Sequence, residues 1–181
     1  MQNSNEEFSN VLAIAPVSKG FGFVFMRDRH TLLDWGTRSV KKGDKNKKAI
    51  VKVEKLIKKF EPDLVVLPDA LRKGSRRQER ICKLVKRLVF FIKRRGVAVR
   101  LISKEQLQRH FFHGERGTKH EMATSIANRF PEQLGDFLPP ERQQWMTENH
   151  FTQLFDAAAI ALAYFCKNSE RGMSNTAECV E

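Results

Sequence analysis

The sequence predicts an α/β domain over residues 10–166, with a five-stranded mixed sheet (three antiparallel strands, then two parallel ones) and helices on both faces. Two observations predict this class. Near the start of the chain, three short apolar runs follow one another with turns of only a few residues, which is typical of an antiparallel meander. Segments with helical periodicity then alternate with two further apolar runs, and crossovers of that length favour parallel pairing.

The meander is predicted from apolar runs at 11–15, 21–26 and 31–36. Lys19 and Gly20 turn the chain after the first run, and a polar turn separates the second run from the third. The first run is short and uninterrupted, as expected of a strand buried within a sheet. The residues before it, 1–9, are expected to be flexible.

Helical periodicity begins after the lysine-rich segment 41–48, which we interpret as a solvated loop. Apolar residues then line one face of each predicted helix and fill each predicted strand. These elements are a helix over about 50–60, a strand over 64–67, a helix over about 76–95 and a strand over 97–102.

Two capping boxes mark the starts of the next helices. Ser103 is followed three residues later by Gln106, and Thr118 is followed in the same way by Glu121. Each pair can satisfy two of the unbonded N–H groups at a helix start, so both helices are expected to begin there. The remaining predictions are a loop over 131–149, a helix over about 150–166 and a disordered tail over 167–181.

Composition indicates a folded protein with a polyanionic partner. Of 181 residues, 41% are hydrophobic, and 33 Lys and Arg against 21 Asp and Glu give a net charge of +12. Nucleic acid is favoured over an anionic membrane as the partner, and DNA over RNA. Neither the number nor the spacing of the three cysteines suits a disulfide framework or a zinc site. With no signal-like start and no apolar run near ~20 residues, a cytoplasmic protein is expected.

Four motifs carry a resemblance to a known family. Residues 11–16 are similar to the opening strand of the RuvC-type Holliday-junction resolvases, and 61–69, with its Pro-Asp and apolar run, resembles their fourth strand. Residues 118–121 resemble the start of the family's penultimate helix, and 155–162, an Asp followed by an alanine-rich face, resembles its last helix. The resemblance covers residues 10–166 and implies a ribonuclease-H-like fold.

In that family, carboxylates on the first strand, the fourth strand and the last helix hold two Mg²⁺ (or Mn²⁺) ions that cleave DNA. The resemblance puts Ala15 at the first of these positions and Pro68 at the second, with Asp69 one residue late. Asp156 matches the third position, and Thr152 and Gln153 stand one turn before it, where the family often has a second acidic or His ligand. An introduced substitution would also explain Ala15, but it explains Pro68 less well.

Two functional hypotheses follow from these residues. The favoured one is a nucleic-acid-binding protein without metal-dependent cleavage and without a cofactor, as a homodimer or within a larger nucleoprotein complex. The alternative is an active Mg²⁺-dependent junction endonuclease with Asp156 and Asp69 as catalytic metal ligands. It needs a further recruited ligand, for which the candidates are Asp34, Glu121, Glu148 and His150. A pure protein-interaction scaffold is least favoured, because it would leave the net charge unexplained.

A basic stripe on the second long helix is the candidate nucleic-acid surface. Within 72–95 only Glu79 is acidic, so phosphate binding is favoured over a merely solvated helix face. Lys119, at the predicted start of a later helix, could contact a phosphate beside backbone amides. A zinc site on His110, His113 and His120 is disfavoured, because glycines interrupt that segment. The predicted contacts are Arg72, Lys73, Arg76, Arg77, Arg80, Lys83, Arg87 and Lys119.

Overall fold

The computed structural model describes residues 8–40, 43–70, 79–141 and 149–174, and side chains up to Cys166. Its five strands form one sheet in the order β3-β2-β1-β4-β5. The strands are β1 Val11–Val17, β2 Gly20–Met26, β3 Leu32–Ser39, β4 Leu64–Pro68 and β5 Ala98–Ile102. β1, β2 and β3 pair antiparallel, whereas β4 pairs parallel to both β1 and β5. The predicted mixed sheet is therefore confirmed.

Helices cover both faces of this sheet, as predicted. They are α1 Lys45–Phe60, α2 Glu79–Lys93, α3 Lys104–Phe112, α4 Lys119–Arg129, α5 Pro131–Leu134 and α6 Thr152–Ser174, with a 3₁₀ turn at Gly135–Phe137. Alternate residues of β1 point to opposite layers: Ala13 and Ala15 pack with α4 and α6, while Leu12 and Ile14 pack with α1 and α2. β1 is thus buried on both sides, which accounts for its continuous apolar sequence.

Three predicted segments differ from the structure by more than a shift of a few residues at a strand or helix end. The lysine-rich segment is not all loop: the side chain of Asp44 accepts a hydrogen bond from the backbone N–H of Lys47 and caps α1, so the helix starts at Lys45. The predicted loop over 131–149 contains α5, which begins with a proline at its first position, where no N–H is needed. In place of the predicted tail, α6 continues to Ser174, and 175–181 lie outside the described residues.

Helix starts gather at one edge of the sheet, the carboxyl edge of β1, β4 and β5. β3 runs in the same direction as β1, so α1, α2 and α3, which follow β3, β4 and β5, all begin there. The first turn of α6 also lies at this edge, because it touches β2 at Gly22, which pairs with Ala15. Both predicted capping boxes are present, one of them at the start of α4. No helix in the described part of the chain is long and apolar enough to span a bilayer.

Candidate functional site

The sheet presents only apolar side chains at the two positions where the resemblance expects strand carboxylates. Ala15 is 3% exposed and lies under α6. Pro68 is the buried last residue of β4, and the alternation of that strand places it on the same face as Val66, which also packs with α6. Since Ala13 pairs with Val66, the register brings Ala15 level with Pro68 two residues later. This part of the sheet therefore offers no metal ligand.

Asp69 follows Pro68 without a break in the sheet. Pro68 pairs with Ile102, and the backbone N–H of Asp69 donates to the carbonyl of Ile102 at 2.8 Å. Pro68 therefore pairs within the sheet without interrupting the hydrogen bonds to β5. Proline has no N–H, and an N–H at position 68 would face β1 and not β5. Because the β1–β4 pairing ends at Val66, the sheet loses no hydrogen bond there. β4 ends at Pro68, and Ala70 packs with α1 and α2 as Leu67 does, so the alternation of the strand does not extend through Asp69.

Asp156 lies in the second turn of α6 and forms an ion pair. Its Oδ2 is 3.1 Å from the Nζ of Lys119, the first residue of α4. The Asp156 side chain is 22% exposed and that of Lys119 is 60% exposed, so the pair lies at the surface of the carboxyl edge. The carboxylate at the third resemblance position therefore already has a cation beside it.

Gln153, one turn before Asp156, contributes an unusual polar atom to the same place. Its Oε1 is buried and has no hydrogen-bond partner within the described residues. A buried acceptor without a partner is costly, and such atoms often belong to a binding site. Its backbone is held against the sheet, since a Cβ added at Gly22 would meet the Gln153 carbonyl.

Two of the four side chains considered as recruited ligands, Glu121 and Asp34, are engaged elsewhere. Glu121 accepts hydrogen bonds from the N–H and Oγ1 of Thr118 at 2.7 and 3.0 Å, and the Thr118 N–H holds the pKa of Glu121 below its usual value. Asp34 Oδ2 is 2.7 Å from Lys59 Nζ. The ring of His150 lies 3.8 Å from that of Phe151, and Glu148 lies outside the described residues.

These donors do not fit a two-metal centre. Two Mg²⁺ ions need several hard, mostly anionic oxygen ligands, whereas α6 and the sheet supply one carboxylate, already paired, and one neutral amide oxygen. In the parts of the chain that the structure describes, no three His, Cys, Asp or Glu side chains are grouped to hold a metal ion. His110, His113 and His120 therefore do not form a zinc site in the described part of the chain.

Apart from Arg80, the predicted basic contacts separate into three groups. Four of them, Arg72, Lys73, Arg76 and Arg77, lie outside the described residues. Lys83 and Arg87 are exposed on α2, although Lys83 is 2.6 Å from Glu79. Arg87 lies near the start of α1. The hydrogen bond from the Lys47 N–H holds the pKa of Asp44 below its ordinary value, and the charge of Arg87 contributes more weakly. Lys119 is the third group, at the ion pair.

Arg80 differs from the other predicted contacts because its guanidinium joins three segments. It donates to the carbonyls of Val17 and Ser18 at 3.0 and 2.9 Å, and to Oδ1 of Asn46 at 2.8 Å. Asn46 in turn donates to the Arg80 carbonyl at 3.3 Å. Arg80 thus ties the β1–β2 turn and the start of α1 to the start of α2. No sequence pattern indicated this contact, because Asn46 is 34 residues away.

The carboxyl edge brings helix N-termini and basic side chains together, with carboxylates such as Glu79, Glu121 and Asp156 among them. Helix N-termini carry partial positive charge, and several helices begin at this edge. Lys19 in the β1–β2 turn, Lys83 and Arg87 on α2, and Lys119 on α4 add full positive charges around them. Helix N-termini and basic side chains are groups that bind phosphate without recognising sequence.

Solved structures of Holliday junction resolvases have a similar fold. RuvC from Thermus thermophilus in complex with a Holliday junction substrate superposes with a TM-score of 0.63 and 17% identity, covering 91% of this chain and 96% of that chain. The yeast mitochondrial Holliday junction resolvase superposes with a TM-score of 0.64 and 13% identity, covering 93% and 84%. The chain has the fold of RuvC-type resolvases.

A more distant neighbour with this resolvase fold is the fowlpox virus resolvase in complex with its substrate Holliday junction DNA. It superposes with a TM-score of 0.55 and 11% identity, covering 87% of this chain and 97% of that chain. No family model matches the sequence, and no curated protein matches it either. At these identities the likeness concerns the fold.

Proposed function

We propose that this protein binds branched DNA through its resolvase fold and does not cleave it with divalent metal ions. One observation carries the proposal: Asp156 is paired with Lys119 at 3.1 Å, in a place where Ala15 and Pro68 offer no ligand from the sheet. The similar structures of Thermus thermophilus RuvC and fowlpox virus resolvase, both in complex with Holliday junctions, support branched DNA as the ligand.

The argument against cleavage is electrostatic. In the two-metal reaction, carboxylates offset the charge of the ions while one ion activates water and the other stabilises the leaving oxygen. Here Asp156 is the one family-matched carboxylate, and the ammonium of Lys119 already offsets its charge. An ammonium attracts a phosphate but cannot coordinate and activate water as a metal ion does. The site is therefore suited to holding a phosphodiester and not to breaking it.

The proposal also covers the oligomeric state of the protein and its location in the cell. A four-way junction has two-fold symmetry, so a homodimer, alone or within a larger nucleoprotein complex, would match it. We place the protein in the cytoplasm and assign it no cofactor. DNA is preferred to RNA because the similar structures named above hold junction DNA.

The α2 contacts can be tested by salt dependence. Replacing Lys83 and Arg87 together with alanine is expected to reduce the slope of log K against log salt by about two, because each lost phosphate contact removes about one released counterion. Arg80→Ala is the matched comparison: its guanidinium is bonded within the protein. That variant should lose about 2 kcal/mol of unfolding free energy and keep the slope. An unchanged slope in the double variant would remove α2 from the interface.

The decisive experiment is an assay on a labelled four-way DNA junction beside a linear duplex of matched sequence. The protein is incubated with each in EDTA, Mg²⁺ and Mn²⁺, and binding and strand cleavage are both measured. We expect preferential binding of the junction under all three conditions, with no cut strand. Metal-dependent cleavage that is lost in Asp156→Ala would contradict the proposal and establish the endonuclease. Absence of any salt-sensitive DNA binding would favour an interaction scaffold instead.

A further inference from the structure

The outer face of α2 carries an exposed aromatic ring among cations. Phe90 is 65% exposed, more than the other large apolar side chains on the described surface, Val51 at 46% and Leu33 at 40%. The apolar core of α2 is complete without it, because Ile81, Leu84, Val85, Leu88 and Ile92 are the residues that α2 buries against the sheet. Phe90 therefore contributes little to folding, and its exposure calls for another explanation.

The neighbours of Phe90 on this face are positively charged. Lys83, Arg87, Phe90 and Arg94 follow one another at spacings of four, three and four, which places them in one row along the helix. The guanidinium of Arg94 lies 5.6 Å from the centre of the Phe90 ring. Within the described part of α2 the one acidic residue is Glu79, a helix length away from Phe90. We define this row as the Phe90 face.

The chemistry of the Phe90 face indicates which kind of partner would bind it. A partner must be anionic to approach the cations, and it must offer a flat surface to the ring. A second copy of this chain docked through the same face would oppose two rows of positive charge, which disfavours that arrangement. A nucleotide meets both requirements, since its phosphates are anionic and its base stacks on aromatic rings whatever the sequence. Arg87 and Arg94 lie about 10 Å apart along the helix, on either side of the ring.

We propose that Phe90 is a stacking platform for an unpaired base, whose flanking phosphates contact Arg87 and Arg94. The inference rests on the proposed DNA binding and adds a feature to the substrate: a branch, bulge or end with an unpaired nucleotide. The Phe90 face belongs to the layer of α1 and α2, on the opposite side of the sheet from α6 and Asp156. It is therefore separate from the Lys119–Asp156 ion pair, although Lys83 and Arg87 also contribute to the carboxyl edge.

The test uses two labelled DNA duplexes of equal length, one fully paired and one with a single unpaired 2-aminopurine. Binding of the second duplex by the wild-type protein should be accompanied by a change in 2-aminopurine fluorescence as the base stacks. Phe90→Leu should bind it about tenfold more weakly, with affinity for the paired duplex unchanged. Phe90→Tyr, which keeps a ring, should restore both affinity and fluorescence. Val51→Ala, at another exposed apolar residue, is the matched control and should change neither.

The outcomes separate this inference from the proposed function. Wild-type protein that binds neither duplex would overturn both. Binding of both duplexes that Phe90→Leu leaves unchanged, or weakens equally, would overturn the stacking role alone. Phe90→Leu could instead make the free protein sediment as a smaller species, with no loss of affinity specific to the unpaired base. The Phe90 face would then be a contact between copies of the chain, and the inference would be wrong. A thermal melt equal to wild type shows that the variant is folded.

Discussion

A Gly22→Ala protein is expected to be about 3 kcal/mol less stable than the wild type and to lose most of its junction binding. Gly22 lies in β2 beside Ala15, and the first turn of α6 crosses the strand at this point. A Cβ on residue 22 would meet the backbone carbonyl of Gln153, and backbone cannot rotate away as a side chain can. The helix must move outward, and it carries both Gln153 and Asp156.

Denaturant unfolding measures the loss of stability, and the junction-binding assay measures the loss of function. Gly135→Ala is the matched control, because a Cβ there would have no atom within 4 Å and the residue has an ordinary helical conformation. Its stability should stay close to that of the wild type. A Gly22→Ala protein as stable as Gly135→Ala would mean that α6 does not rest on β2 as described.

Replacing Asp156 with asparagine is expected to tighten junction binding about fivefold, equivalent to about 1 kcal/mol. The substitution removes a negative charge from the edge that is proposed to meet phosphates, and it releases the ammonium of Lys119 from the ion pair. The sign of the effect separates the two functional hypotheses. A carboxylate that binds catalytic metal should, on removal, weaken binding in Mg²⁺ or abolish cleavage.

Titration of a labelled junction, with EDTA or Mg²⁺ present, measures this change. Asp34→Asn is the control, since Asp34 is also paired with a lysine, Lys59 at 2.7 Å, but lies on β3. It should alter affinity less than Asp156→Asn does. Weaker binding by Asp156→Asn, confined to Mg²⁺, would indicate a metal ligand and contradict the proposed function.

Local signals predicted most of the fold. The strands were predictable because each is a short apolar run between polar turns, and α3 and α4 because their caps lie three residues apart in sequence. The start of α1 was missed because its lysines suggested solvent, although Asp44 caps the helix. Lysine has good helix propensity, and its charge alone says little about secondary structure. α5 was missed because a proline and a short length resemble a loop.

The sequence by itself determined which chemical groups the site can contain. The side chains of an alanine at position 15 and a proline at 68 have no atom that can bind a metal ion, and the resemblance was sufficient to place both positions on the sheet. Only the tertiary structure decided how the remaining groups are used. Lys119 meets Asp156 across 37 residues, and Arg80 meets Val17 across 63. Such contacts depend on how helices pack on the sheet, and no local pattern in the chain encodes that packing.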